Sequence, residues 1–277
     1  MSIAVANEVG IYSICHTPPM RAAVDPAFLA FDVVESPQQR EVAHLLHFWR
    51  EGHHRKHRVT ALLSSKFGEK TGWSGRKLLD FIAANPGQDA WLVNPFPELR
   101  YLAFNIWEHG EFWHPGLMER AAKLIAAVEP GVDLNIFPRS SAETLLFCNF
   151  WAGTEQFWDR YMERVEAYSR AAEAIPEMLD SAEHYSRTTY FPFFFERYFT
   201  TFLTVNRDVR SCAWKHSKEE TLRHCGTEME LLCIQEFGDM IEKWDARGSY
   251  DEDQRQFFRS LLKFCQLFAR TRAAAGK

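Results

Sequence analysis

Two stretches constrain this chain most. They are Leu62-Leu63-Ser64-Ser65-Lys66-Phe67-Gly68-Glu69-Lys70-Thr71-Gly72-Trp73 and Asp89-Ala90-Trp91-Leu92-Val93-Asn94-Pro95-Phe96-Pro97. Each holds a short apolar run that suits a buried strand. Each run ends in polar residues, glycine or proline rather than in a helical pattern. Ligands of open α/β sheets bind outside the carboxyl ends of the strands. Lys66, Lys70, Thr71 and Asn94 stand at two such ends and are expected to form the floor of a site.

The rest of the chain alternates in the same way. Val9–Cys15, Val59–Ser65, Ala90–Asn94 and Thr144–Phe150 read as strands, and Arg210–Trp214 as a last one. Between them lie helical patterns: Pro37–Arg50 capped by Ser36, Ser74–Ala84, Glu98–Trp107, Pro115–Val128, and a long helix capped by Thr154. Glu177–Val205 is helical by pattern, with Pro192 inside it. Glu219–Ala246 and Asp251–Ala274 carry apolar residues at helical spacing. The expected fold class is α/β, a mostly parallel sheet flanked by helices. An α/β domain over 1–215 is followed by a helical extension over 216–277 that packs on it.

Charge narrows the partners. Lys and Arg number 32 against 37 Asp and Glu, a net charge of −5. A general nucleic-acid binder needs a clustered basic field, so none is expected here. The densest basic run, His53-His54-Arg55-Lys56-His57-Arg58, reads as a solvated loop, with a phosphate or anionic-lipid contact as the alternative. The six cysteines form no C-x-x-C pair and read as reduced thiols. No charged leader precedes an apolar core, and no apolar run reaches the roughly 20 residues of a bilayer span. A cytoplasmic protein is expected, with peripheral contact at the inner face of the membrane and oligomerisation left open. The 23 Phe and 9 Trp read first as core and second as platforms for sugar or base stacking.

Four motifs carry candidate chemistry. Lys66 and Lys70 suit a diphosphate beside the helix start at Ser74, although the loop lacks the glycine spacing of a Walker motif. Asn94 ends a strand where paired aspartates would hold a divalent metal, yet no D-x-D is present. In Asn105-Ile106-Trp107-Glu108-His109-Gly110-Glu111-Phe112-Trp113-His114, carboxylates and histidines alternate with bulky rings. Glu108 or Glu111 would serve as a general base, and His109 and His114 would hold a phosphate or metal. The alternative is a packing motif. In Phe191-Pro192-Phe193-Phe194-Phe195-Glu196-Arg197-Tyr198-Phe199, the ion pair is either a buried brace or a phosphate-binding Arg197 oriented by Glu196.

Together, KFGEKTG, NPFP, NIWEHGEFWHPG, LLFCNFWAG and FFFERYF resemble a bacterial group of glycosyltransferase-like proteins from polysaccharide loci. They are distantly similar to the DUF4422-type capsular transferases. The resemblance covers roughly residues 9 to 215. It implies a GT-A-like domain closed by an aromatic-flanked Glu-Arg motif, a nucleotide-sugar donor, and a glycan or lipid-linked acceptor. On the matching motifs it assigns Lys66, Lys70 and Arg197 to the donor and Glu196 to the catalytic set. The missing D-x-D leaves a divalent metal cofactor open. The rival readings are a noncatalytic glycan-binding or assembly protein on the same fold, and a metalloenzyme ligated by His109, His114 and one of His53, His54 or His57.

Overall fold

The computed structural model describes residues 8–33, 40–182 and 188–274. Its strands are β1 (Val9–Cys15), β2 (Leu29–Asp32), β3 (Val59–Leu63), β4 (Ala90–Leu92), β5 (Trp151–Thr154) and β6 (Ser211–Ala213). They form one six-stranded sheet in the order β2-β1-β3-β5-β4-β6. β1 pairs in parallel with β2 and β3, and β4 with β6. β5 alone is antiparallel, wedged between β3 and β4. β3, with the sequence VTALL, is buried along its whole length, as a strand covered on both faces must be. The fold is the mostly parallel, helix-flanked α/β arrangement expected from the sequence, with a helical C-terminal part. That layout is compatible with a GT-A-like fold.

The helices are α1 (Pro18–Ala22), α2 (Glu41–Arg50), α3 (Phe67–Thr71), α4 (Gly75–Ala84), α5 (Leu99–Leu102), α6 (Ile106–Trp113) and α7 (Leu117–Val128). After β5 come α8 (Glu155–Glu173), α9 (Tyr190–Val205), α10 (Lys218–His224), α11 (Glu228–Arg247) and α12 (Glu252–Ala274). Much of the aromatic excess is core where α8 and α9 meet the sheet. Trp158 donates its indole N–H to the Thr60 carbonyl at 2.9 Å, and Trp151 stacks on Phe199 with centroids 5.4 Å apart. Gly153 makes room for the Phe157 ring, from which a Cβ there would lie only 2.5 Å away.

Several sequence expectations shift. The predicted strand Thr144–Phe150 is a loop, and the strand begins at Trp151. Its backbone bonds to α9 instead of a ladder: Leu146 N–H donates to Thr200 Oγ1 at 3.0 Å and Cys148 N–H to Glu196 Oε1 at 3.1 Å. The predicted helix Glu98–Trp107 breaks into α5 and α6. Asn105 causes the break by accepting from the N–H groups of Trp107 and Glu108 at 3.0 and 2.8 Å. The helix expected over Glu177–Val205 starts only at Tyr190, which puts Pro192 in the first turn, where no intrahelical N–H is needed. Ser36 and Pro37 lie outside the described residues. β2, α1 and α3 were not expected, and the helix read over Glu219–Ala246 is two, α10 and α11.

The C-terminal helices pack on the α/β part through α5 and α6. Tyr101, Leu102, Ile241, Phe258 and Leu261 form a second, smaller core there. Capping boxes at Ser217 and Thr227 start α10 and α11, and Gly248 at φ 69° ends α11. All six cysteines are free thiols.

Asn105 also donates to the Phe137 carbonyl at 3.1 Å, so it ties the α5–α6 break to the loop beyond α7. Asn105→Ala is expected to lower unfolding stability by about 2 kcal/mol, the upper range for a lost helix cap. A urea titration reads this as a shifted midpoint at unchanged slope. An unshifted midpoint would show that the cap does not hold the break.

Candidate functional site at the carboxyl edge of the sheet

The parallel strands β1, β3, β4 and β6 all end on one edge. The chain leaves β1 toward β2 on one side and returns to β3 on the other, so the topological switch point lies between β1 and β3. That is where open α/β sheets bind ligands. A cavity of about 490 Å³ lies there, lined by Ser13 from β1, the Ser64–Glu69 segment after β3, Asp25, Phe28 and Trp73. Asp25 shapes its wall, accepting from the N–H groups of Ala27 and Gly75 at 2.8 Å each.

α3 carries the predicted lysines to different neighbours. Lys66, exposed at the helix start, lines the cavity. Lys70 reaches the other way, its Nζ 3.0 Å from Cys148 Sγ and over the Phe96 ring at 5.6 Å. Burial opposes its charge, but the Cys148 sulfur, Glu196 and Glu41 outweigh that and raise its pKa above the ordinary lysine value. Thr71 is buried in the turn: its hydroxyl donates to the Phe67 carbonyl at 2.7 Å and accepts from Trp73 N–H at 3.1 Å. It holds α3 in place and lies outside the cavity lining.

Cys148 and Asn149 sit opposite Lys70 with φ of 63° and 52°. Consecutive left-handed residues without glycine are strained, and such strain collects at functional sites. Glu196 accepts from Cys148 N–H, and Asn149 donates to Glu41 Oε2 at 3.2 Å. Glu41 Oε1 is shut off from water and has no hydrogen-bond partner among the described residues. Burial, with Glu196 nearby, pushes the Glu41 carboxyl up to about 7 against the pull of Asn149 and Lys70. Burial likewise pushes the Cys148 thiol up to about 12. Cys148 is therefore held as a protonated thiol, and Lys70, Glu41 and Glu196 form a half-buried polar cluster beside it.

The Glu-Arg motif splits in two. Glu196 belongs to that group. Arg197 is 2% exposed, donates to the Phe193 carbonyl at 2.8 Å and pairs with Glu196 at 3.4 Å. Gly110 makes room for it, since a Cβ there would fall 2.2 Å from Arg197 Nε. Arg197 is a brace between α9 and α6. His109 lies beside it, buried against Phe147 at 5.1 Å. Burial, Arg197 and His114 hold its pKa well below the ordinary histidine value. His114 is buried too and stacks on Phe193 at 3.6 Å. Both histidines are packed side chains.

The remaining predicted residues are held elsewhere. Glu108 is gripped by Arg255 and Arg259 of α12, each at 3.2 Å. Glu111 caps α7, accepting from Gly116 and Met118 N–H at 2.8 Å each. Neither joins the lysines, and a carboxylate between two guanidiniums is a poor base. Asn94 closes its own turn through both the N–H and the carbonyl of Phe96, at 3.2 and 3.3 Å. The basic run is also engaged: buried His54 and Arg55 bind Asp159 at 3.0 and 3.2 Å.

No family model, curated protein or solved structure matches the chain. Among the described residues no group of three or more His, Cys, Asp or Glu could hold a metal ion, so the histidine-ligated metal centre is not formed there. No described helix is long and apolar enough to cross a membrane. The sequence missed Ser13, Asp25, Glu41, Cys148 and Asn149. Only the polar Cys-Asn step inside LLFCNFW signalled that the expected strand is interrupted.

Glu41 makes stability depend on pH. Below its ordinary value of 4.5 the carboxyl is protonated in folded and unfolded chains alike. From there to about 7 only the unfolded chain gives up the proton, so folding weakens as pH rises, by up to about 3 kcal/mol. Glu41→Gln is expected to lose less stability than the parent between about pH 5 and pH 8. Denaturant melts across that range check it, and parallel curves would contradict the buried carboxyl.

Proposed function

We propose that the protein is a glycosyltransferase that uses a nucleotide-sugar donor and serves bacterial surface polysaccharide or glycoconjugate synthesis on the cytoplasmic side of the membrane. The observation that carries this reading is the cavity of about 490 Å³ at the switch point, with Lys66 on its wall. In this reading a nucleoside lies beside Phe28 and Trp73 and its diphosphate beside Ser64, Ser65 and Lys66, while the Asp25 carboxylate is taken up by the N–H groups of Ala27 and Gly75. In sugar transfer the diphosphate leaves with growing negative charge, and fixed cations lower that barrier. Lys66 supplies such a cation directly. Lys70 reaches away from the cavity toward Cys148, Glu196 and Glu41 and supports the loop behind it. Glu196 positions the Cys148 loop and Lys70 together. Arg197 acts through packing.

The rival reading, a noncatalytic glycan-binding or assembly protein, draws on one observation. Glu108 and Glu111, the two expected bases, are both engaged in structural contacts.

Lys66→Ala is expected to weaken binding of nucleoside diphosphates by roughly 10- to 100-fold, the range of a lost hydrogen bond to a charged group. The exposed lysine leaves the unliganded melting temperature unchanged. A thermal-shift titration reads both, because ligand at 100 times its Kd adds about 2.7 kcal/mol. Equal shifts in parent and variant would remove Lys66 from the site. Binding without release of nucleotide from any nucleotide sugar would favour the noncatalytic reading.

A further inference from the structure

A second cavity, of about 370 Å³, opens at the carboxyl ends of β4 and β6. Its lining includes Asn94, Arg100, Trp214 and His216. Trp214 meets Trp73 edge to face at 4.8 Å, and Trp73 lines the switch-point cavity. The aromatic pair thus contributes to the walls of both cavities, and one site lies beside the other along the sheet edge.

Three lining side chains carry a nitrogen that is out of water and has no hydrogen-bond partner among the described residues. They are Arg100 Nε, Trp214 Nε1 and His216 Nε2. Buried polar groups are nearly always satisfied. Other such atoms lie elsewhere among the described residues, but these three belong to side chains that line this one cavity. Their chemistry differs. Arg100 and Trp214 offer N–H donors. Burial and the neighbouring His224 lower the His216 pKa, against Glu220 and a hydrogen bond to the Asn94 backbone. With Nε2 unpartnered, that bond runs from Nδ1–H to the carbonyl, and Nε2 of the neutral ring is left as an acceptor.

We propose that this cavity binds a sugar unit, the hydroxylated acceptor, through Arg100, Trp214 and His216. The word acceptor rests on the glycosyltransferase reading; the choice of a sugar rests on the cavity. A hydroxyl both donates and accepts, so neighbouring hydroxyls satisfy two donors and one acceptor together. The lining sets Arg100 and Lys215 against Glu143 and Glu242, so it offers no excess of positive charge to draw a phosphate.

The test uses the indole N–H spectrum of the ¹⁵N-labelled full chain, in which Trp214→Phe identifies the Trp214 signal and keeps most of the ring. The probes are glucose, galactose, N-acetylglucosamine and inorganic phosphate. The expected result is that at least one sugar shifts the Trp214 signal and phosphate does not. His216→Gln should weaken that sugar about fivefold, the loss of one neutral hydrogen bond, and leave uridine diphosphate binding, read by thermal shift, unchanged. A Trp214 signal that no sugar moves, or that phosphate moves instead, would overturn the proposal. Sugar binding in a protein that binds no nucleoside diphosphate would uphold the sugar site while defeating the donor site.

Discussion

The grip of α9 on the loop before β5 is the constraint on which the site depends. Thr200 and Glu196 take the backbone N–H groups of Leu146 and Cys148, which a strand would have used in its ladder. The loop is thereby held over the carboxyl edge, and β5 enters the sheet antiparallel from that edge, with Trp151 opposite Leu92. Without this, an apolar segment as strand-like as LLFCNFW would compete for a place in the sheet. Two left-handed residues complete the diversion, and their strain is offset by the bonds that Glu196 and Glu41 make to them.

Charge at the edge follows from that geometry. Lys70 is drawn beneath α3 toward Cys148, Glu196 and Glu41, while Lys66, at the start of the same short helix, stays on the cavity wall. Burying the Glu41 carboxyl is costly alone and tolerable beside Asn149 and Lys70. Arg197 carries the opposite message: a guanidinium this buried, fitted against Gly110 and bonded to a helix carbonyl, stiffens the frame that presents Glu196.

The sheet was legible because β1, β3 and β4 are short apolar runs with polar ends, and Lys66 at the switch point follows from reading where the second of those runs stops. Pattern could not reveal what depends on long-range partners. LLFCNFW has strand propensity, and only its pairing with α9 makes it a loop. The Glu108–His114 segment alternates charge with rings, which reads as a site wall. Its carboxylates instead find Arg255 and Arg259, some 150 residues away in sequence, and the start of the adjoining helix. β2 was missed because LAFD is short and mostly uncovered at the sheet edge. The second cavity draws on Trp214 and His216, which follow a three-residue strand and form no motif.

The central claim is that a nucleoside diphosphate occupies the switch point between β1 and β3. Backbone hydrogen exchange with and without uridine and guanosine diphosphates tests it most directly, since bound ligand slows the local opening of the segments it touches. The account predicts slower exchange at Ser13–Cys15 and Ser64–Lys70, with little change along α11 and α12. Unchanged exchange at both segments, or protection confined to the C-terminal helices, would contradict it.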